Sequence, residues 1–271
     1  MKIQMINKEI IILNKKIFYR TIGSGNLVML VHGFGETGDV WKNQVDFLKD
    51  KFQLIIPDLP GSGKSEMIDD MSMEGLAEIL KNIIDKESSH APPSGGWGVI
   101  GHSMGGYVAL AFAEKYPQYL NKFGLFHSTA FADSEEKKAT RRKGIEFIKE
   151  HGPYEFLKNT TPNLFSPKTK AENQPLIDDF IKGLNNFSAQ SLVSYHEAMM
   201  KRPDRTEVLK NSTIPVLFIM GKYDTAVPMA DNLKLCSLPE MAYIDILKNS
   251  GHMGMLEEPG TSKIILEKFL D

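Results

Sequence analysis

Gly101-His102-Ser103-Met104-Gly105 is the stretch whose residue types and spacing point most directly to chemistry. It lies between the apolar run "WGVIG" from Trp97 and a helix-like segment of mostly small residues, "MGGYVALAFA". A serine flanked by glycines fits a sharp strand-to-helix turn, because only small residues let chain and helix approach closely. Such a turn holds the serine in a strained conformation and lifts it above the carboxyl end of a sheet. The helix N-terminus beneath it favours developing negative charge. Ser103 is therefore the candidate nucleophile.

A serine hydroxyl is a poor nucleophile without a base, and the base needs an orienting carboxylate. His252, in "LKNSGHMGMLEEP", follows the last apolar run and should emerge at the carboxyl edge where ligand groups gather. It is the candidate base. Among the other histidines, His102 should point away from Ser103, while His32 sits on the loop after the third strand and His127 ends the strand after the nucleophile helix. His90 and His151 fall in a linker and an insertion, and His196 is expected to be a satisfied histidine of that insertion. Asp224, in "FIMGKYDTAVP", stands just beyond the preceding strand and is the candidate acid. Asp245 lies inside a strand pattern and Asp133 opens the insertion, so both fit less well. No histidine and acid cluster has the short spacing of a metal site, so neither metal nor cofactor is expected.

Two further glycine-rich turns compete for attention. "DLPGSGKS" from Asp58 ends like a phosphate loop, but Asp58 occupies the position that needs the first glycine, and Pro60 offers no amide. "GFGETG" from Gly33 matches a dinucleotide turn, with Asp58 downstream as the ribose acid. The helix expected after it, "DVWKNQVDFL", lacks the small residues that close packing against such a turn requires. Both read as structural turns, and Lys64 as a surface lysine.

The elements that must position these residues alternate. "EIIIL" and "KIFYR" form a leading hairpin, and apolar runs begin at Leu27, Phe52, Trp97, Lys122, Val216 and Tyr243. Helical patterns cover residues 72–86, 104–115, a segment opening near Pro228, and 261–270. Strands alternating with helices predict an α/β fold, a mostly parallel sheet with helices on both faces. Residues 130–205 break the rhythm as a helical insertion over one edge of the sheet, with 161–175 as its internal loop. The domain reading is a core over 1–129, a cap over 130–205, and the rest of the core over 206–271. Residues 87–96 read as a surface turn.

Bulk properties bound the partners. The chain has 32 basic and 34 acidic residues among 271, so its net charge of −2 offers no field to gather nucleic acid or an acidic membrane. A small acyl compound and water fit better. "MKIQMINKEIIIL" has neither a signal peptide's apolar region nor a spanning length. The single cysteine, Cys236, excludes an intrachain disulfide and favours a cytoplasmic setting, as monomer or homodimer.

Taken together, "VHGFGETGDVW", "DLPGSGKS", "GHSMGG", "IPVLFIMGKYDTAVP" and "GHMGMLEEP" resemble the α/β-hydrolase fold superfamily, in particular its serine hydrolases with a helical cap. The likeness runs over nearly the whole chain, and the order serine, aspartate, histidine is that of its triad. The resemblance implies an eight-stranded sheet with a cap after the sixth strand. It also implies oxyanion donors at the backbone amides of Phe34 and Met104, with the Phe34 side chain lining the acyl pocket. The implied reaction is hydrolysis of a small or medium carboxylic ester through an acyl-enzyme. Carbon–carbon bond hydrolase, lactonase, thioesterase and haloperoxidase activities stay open, as does a signalling or ligand-binding role. A carbon–carbon hydrolase would need a carboxylate subsite, for which Arg141, Arg142 and Arg202 are available. Dehalogenases and epoxide hydrolases of this fold need an aspartate where Ser103 stands. The cap's Phe147, Tyr154, Phe156, Phe165, Phe180, Phe187, Tyr195, Met199 and Met200 are expected to pack mainly within the cap.

Overall fold

Leu13 and Asn14 both take positive φ, 50° and 62°, as a tight two-residue hairpin turn requires. In the computed structural model, which describes residues 4–88 and 95–271, this turn joins β1 (Ile6–Ile12) to β2 (Lys15–Ile22). The sheet continues with β3 (Asn26–Val31), β4 (Phe52–Pro57), β5 (Trp97–His102), β6 (Leu120–Phe126), β7 (Val216–Gly221) and β8 (Ala242–Leu247). Its eight strands run in the order β1-β2-β4-β3-β5-β6-β7-β8. The β1–β2 and β2–β4 pairs are antiparallel and the others parallel.

Both faces of this sheet are covered, which is why its strands read as continuous apolar runs. Alternate residues go to opposite sides: Met29, Val31, Val99 and Phe218 join one core, and Val28, Leu30, Ile100 and Leu217 the other. The first core is closed by α2 (Met73–Glu87) and α3 (Met104–Lys115), the second by α1 (Lys42–Leu48) and later helices. Ser72 starts α2 by accepting a hydrogen bond from Gly75 N–H. Within 39–48 a 3₁₀ turn, Gly38–Trp41, precedes α1, so the expected single helix is divided.

Between β6 and β7 the chain forms α4 (Glu135–His151), α5 (Pro153–Thr160), α6 (Pro167–Glu172), α7 (Gln174–Lys182), α8 (Ala189–Lys201) and α9 (Thr206–Lys210). After β7 come α10 (Met229–Leu235), α11 (Gly254–Glu257) and α12 (Pro259–Leu270). Two expectations for this insertion need correction. Residues 161–175 are largely helical: Ser166 caps α6 by accepting from Thr169 N–H, and Pro167 suits the first helical position. Nor does the insertion cover a lateral edge of the sheet. Tyr195 donates its hydroxyl to the Pro60 carbonyl and Ser191 to that of Gly61, seating α8 on the loop after β4, at the carboxyl end of central strands. The turn expected at 87–96 falls largely outside the described residues, as does His90.

One close approach fixes the strand-to-helix junction. A Cβ on Gly101 would lie 2.2 Å from the Gly105 carbonyl oxygen, and one on Gly105 2.5 Å from that of Val31. Gly101→Ala should therefore lose about 3 kcal/mol of stability through overpacking against immovable backbone. Urea denaturation checks this, and an unchanged midpoint would contradict the packing.

Candidate active site

Ser103 stands alone between β5 and α3 at φ 50° and ψ −116°, a conformation L residues rarely take. Neighbours hold it there. Its N–H donates to the Phe126 carbonyl at 2.9 Å, and its own carbonyl accepts from Gly106 N–H at 2.9 Å and Ser128 Oγ at 2.7 Å. Strain at one residue is thus offset by bonds to β6 and to the first turn of α3. The serine side chain faces a cavity of about 170 Å³, lined also by Phe34, Tyr107, Leu164, Val227 and His252. Among the described residues Ser103 Oγ makes no hydrogen bond, and neither do the Phe34 and Met104 amides.

His252 enters from the loop after β8. Its Nδ1–H donates to Asp224 Oδ2 at 2.8 Å, and its backbone N–H donates to Leu164 O at 2.6 Å. The neighbouring Gly251 N–H donates to Glu257, whose carboxylate also accepts from Ser166 N–H and Thr169 Oγ1, so the histidine loop is tied to the start of α6. Asp224 is buried and takes four donors. Oδ2 also accepts from His127 Nδ1–H at 3.1 Å, while Oδ1 accepts from Ala226 and Val227 N–H at 2.9 and 2.8 Å. Burial alone would raise its pKa, but the charge of His252 and the bonds from both histidines outweigh it and hold the carboxyl well below the carboxylate range. His127, expected only as a strand end, is the third member of this cluster. Burial pushes this imidazole down to about 4, so it serves Asp224 as a neutral donor. The sequence marks it only as a strand end; because β6 lies beside β7, that strand end faces the loop leaving the other.

Potential ligand atoms of His127, Asp224 and His252 lie within 4.8 Å of one another, a spacing that could hold a cation. The set is a poor ligand group as it stands. Both Nδ1 atoms direct protons at the carboxylate whose other oxygen already receives two amides.

A second buried pair joins His102 to Glu36. His102 does point away from Ser103, and its Nδ1–H donates to Glu36 Oε2 at 2.9 Å while its Nε2–H donates to the His252 carbonyl at 3.0 Å. The same Glu36 oxygen accepts from Gly33 N–H at 2.7 Å. Both partners of the ring accept when Glu36 is ionised, so His102 is an imidazolium. Burial disfavours both charges, yet each outweighs the other's penalty, leaving Glu36 below and His102 above its ordinary value. His252 and His127 rings lie 5.0 and 6.1 Å from that of His102. One ion pair therefore joins the Gly33 loop, the Ser103 turn and the His252 loop. His32 is neutral by burial and accepts from Leu59 N–H at its Nε2, a structural role.

The remaining candidates separate clearly. Of the insertion's aromatic and methionine residues, Met199 lines the cavity, whereas Tyr195 is fully buried on the loop after β4. Arg141 lines the cavity, Arg142 is exposed, and Arg202 is buried against Asp133. Asp58 pairs with Arg20 and accepts from Gly38 and Lys64 N–H, and Lys64 is exposed. His196 departs from expectation. Among the described residues neither of its buried ring nitrogens has a partner, and its ring packs 4.5 Å from that of Phe34. The expected satisfied histidine is instead a packed, unbonded one.

The eight-stranded, mostly parallel sheet with helices on both faces agrees with the comparisons to known proteins. The alpha/beta hydrolase fold family matches residues 26–259, and the chain belongs to it. It is 28% identical over 249 residues to a pimeloyl-[acyl-carrier protein] methyl ester esterase of Vibrio vulnificus, covering 89% of this chain and 92% of the relative. A thermophilic esterase from Thermogutta terrifontis superposes with a TM-score of 0.88 at 27% identity, with 98% of each chain covered. An enol-lactonase from Burkholderia xenovorans shares the fold, with a TM-score of 0.87 at 19% identity over 97% of this chain and 99% of its own. Among the described residues no helix is long and apolar enough to cross a membrane.

The Glu36–His102 pair has a pH signature. Stability from His102's raised pKa is full below its ordinary 6.5 and is lost as pH rises through the folded value. Stability from Glu36's lowered pKa is present above its ordinary 4.5 and is lost as pH falls through the folded value. Glu36→Gln should therefore cost most between pH 4.5 and 6.5, by about 3 kcal/mol, with the gap narrowing at higher pH. Denaturant titrations across that range check it, and a pH-independent gap would contradict an ion pair.

Proposed function

We propose that this protein is a serine esterase acting on a compact carboxylic ester. The observation that carries the reading is the strained Ser103 turn opening into the same cavity as a histidine anchored on a buried aspartate. The esterases it resembles at 28% and 27% identity support the ester bond as the target. Residues 130–205 act as a cap in this reading, supplying Leu164 and Met199 to the cavity wall.

His252 Nε2 takes the Ser103 proton as Oγ attacks the ester carbonyl. The free amides of Phe34 and Met104 stabilise the oxyanion, and the α3 N-terminus adds to that field. Collapse breaks the bond to the alkoxide, which leaves with the proton from His252. Water then loses a proton to His252, attacks the acyl-serine and releases the acid, with the serine reprotonated. Asp224 fixes Nδ1–H as the inner proton, so Nε2 is the basic nitrogen, and it stabilises the imidazolium formed in each step. In this reading the Ser103 Oγ to His252 Nε2 hydrogen bond forms when substrate is bound.

A fluorophosphonate probe should label the native protein at Ser103 and leave Ser103→Ala unlabelled. Turnover of short esters should fall by about 10³-fold or more in Ser103→Ala and in His252→Ala. A native protein that hydrolyses esters while resisting the probe, or a labelled Ser103→Ala, would contradict the assignment.

A further inference from the structure

Lys137 and Arg141, one turn apart on α4, both line the cavity that holds Ser103 and His252. Their existing partners leave donors over. Lys137 Nζ gives one proton to the Ala226 carbonyl at 2.8 Å. Arg141 meets Asp133 through Nε at 2.5 Å and Nη2 at 3.5 Å, which leaves Nη1 without a described partner. Asp133 is shared, because Arg202 Nη1 also reaches it at 2.8 Å. One carboxylate thus faces two guanidiniums, and Lys137 has only a carbonyl.

The other carboxylates nearby are already engaged. Glu36, on the cavity wall, is held by His102 and Gly33, and Asp224 by its four donors. Around Asp133, three cations, Lys137, Arg141 and Arg202, therefore meet one carboxylate in a partly buried wall, and the ionised Asp224 offsets that excess only in part, a costly arrangement unless an anion completes it. His196 registers the same field: burial and then the Arg141 charge hold its imidazole down to about 3. A guanidinium edge beside an ammonium suits a carboxylate, which accepts from both. The small cavity, about 170 Å³, restricts what carries that carboxylate to a short chain or single ring.

Resting on the esterase reading, we infer that the substrate is an ester bearing a free carboxylate, bound by Lys137 Nζ and the Arg141 guanidinium. The near-neutral net charge of the chain hides this local polarity.

Two matched pairs test it. The p-nitrophenyl monoester of glutarate is compared with p-nitrophenyl glutaramate, placing the anion on the acyl side. Meta-acetoxybenzoate is compared with meta-acetoxybenzamide, placing it on the alcohol side. In at least one pair kcat/KM for the anion should exceed that for the amide by about tenfold or more, mainly through KM. That ratio should fall towards one in Arg141→Met and in Lys137→Met. If Arg141→Met does not fold, because Asp133 loses a partner, Lys137→Met carries the test alone. Ratios at or below one in both pairs, or a ratio unmoved by Lys137→Met, would overturn the carboxylate subsite. Fluorophosphonate labelling of Ser103 separates the two levels: labelling with no anion preference removes the subsite alone, whereas an unlabelled native serine removes the esterase reading and the subsite with it.

Discussion

A single buried carboxylate sets the geometry around Ser103. Asp224 is ionised in the interior, and its charge is tolerable only because four donors surround it. They come from three places: the end of β6, the loop after β7 and the loop after β8. Adjacent parallel strands deliver these segments to one point, so sheet order and charge satisfaction are parts of the same solution. The orientation of His252 follows from it. A histidine whose inner nitrogen is committed to a buried carboxylate has only its outer nitrogen free for proton transfer.

The Glu36–His102 pair does the equivalent work on the other side of the cavity. It binds the loop carrying Phe34 to the turn carrying Ser103, and through the His252 carbonyl it reaches the histidine loop as well. Two buried electrostatic clusters therefore brace the segments that leave β3, β5, β6, β7 and β8, and they meet at the His252 loop. Side chains of the helical insertion close the space above them, with α4 bringing Lys137 and Arg141 to the cavity wall. The insertion is anchored at both sides, through Tyr195 and Ser191 on the loop after β4 and through Glu257 near the histidine loop.

Much of this was legible in the sequence because its signals are local. Apolar runs located all eight strands, and the α3 bounds follow from small residues after Ser103. Ser103, Asp224 and His252 could be singled out because each follows the end of such a run. Partnerships made across the fold were not legible. Glu36 looked like the variable residue of a glycine turn, and only the return of β5 beside β3 gives it His102. His127 was visible as a strand end, but its bond to Asp224 depends on the β6–β7 pairing. Within the insertion, α6 reads as loop, since a six-residue helix with proline and lysine, capped at Ser166, carries little periodic pattern. The unbonded His196 shows the same limit, because nothing local reveals that a histidine will be enclosed by aromatic rings.

The central claim is that ester cleavage passes through an acyl group on Ser103, and the most direct measurement is mass spectrometry of the protein quenched in acid during turnover of p-nitrophenyl acetate. The expected result is one acetyl group on the peptide containing Ser103, appearing with the initial release of p-nitrophenol. Steady turnover with no acylated peptide, or an acetyl group confined to another residue, would contradict it.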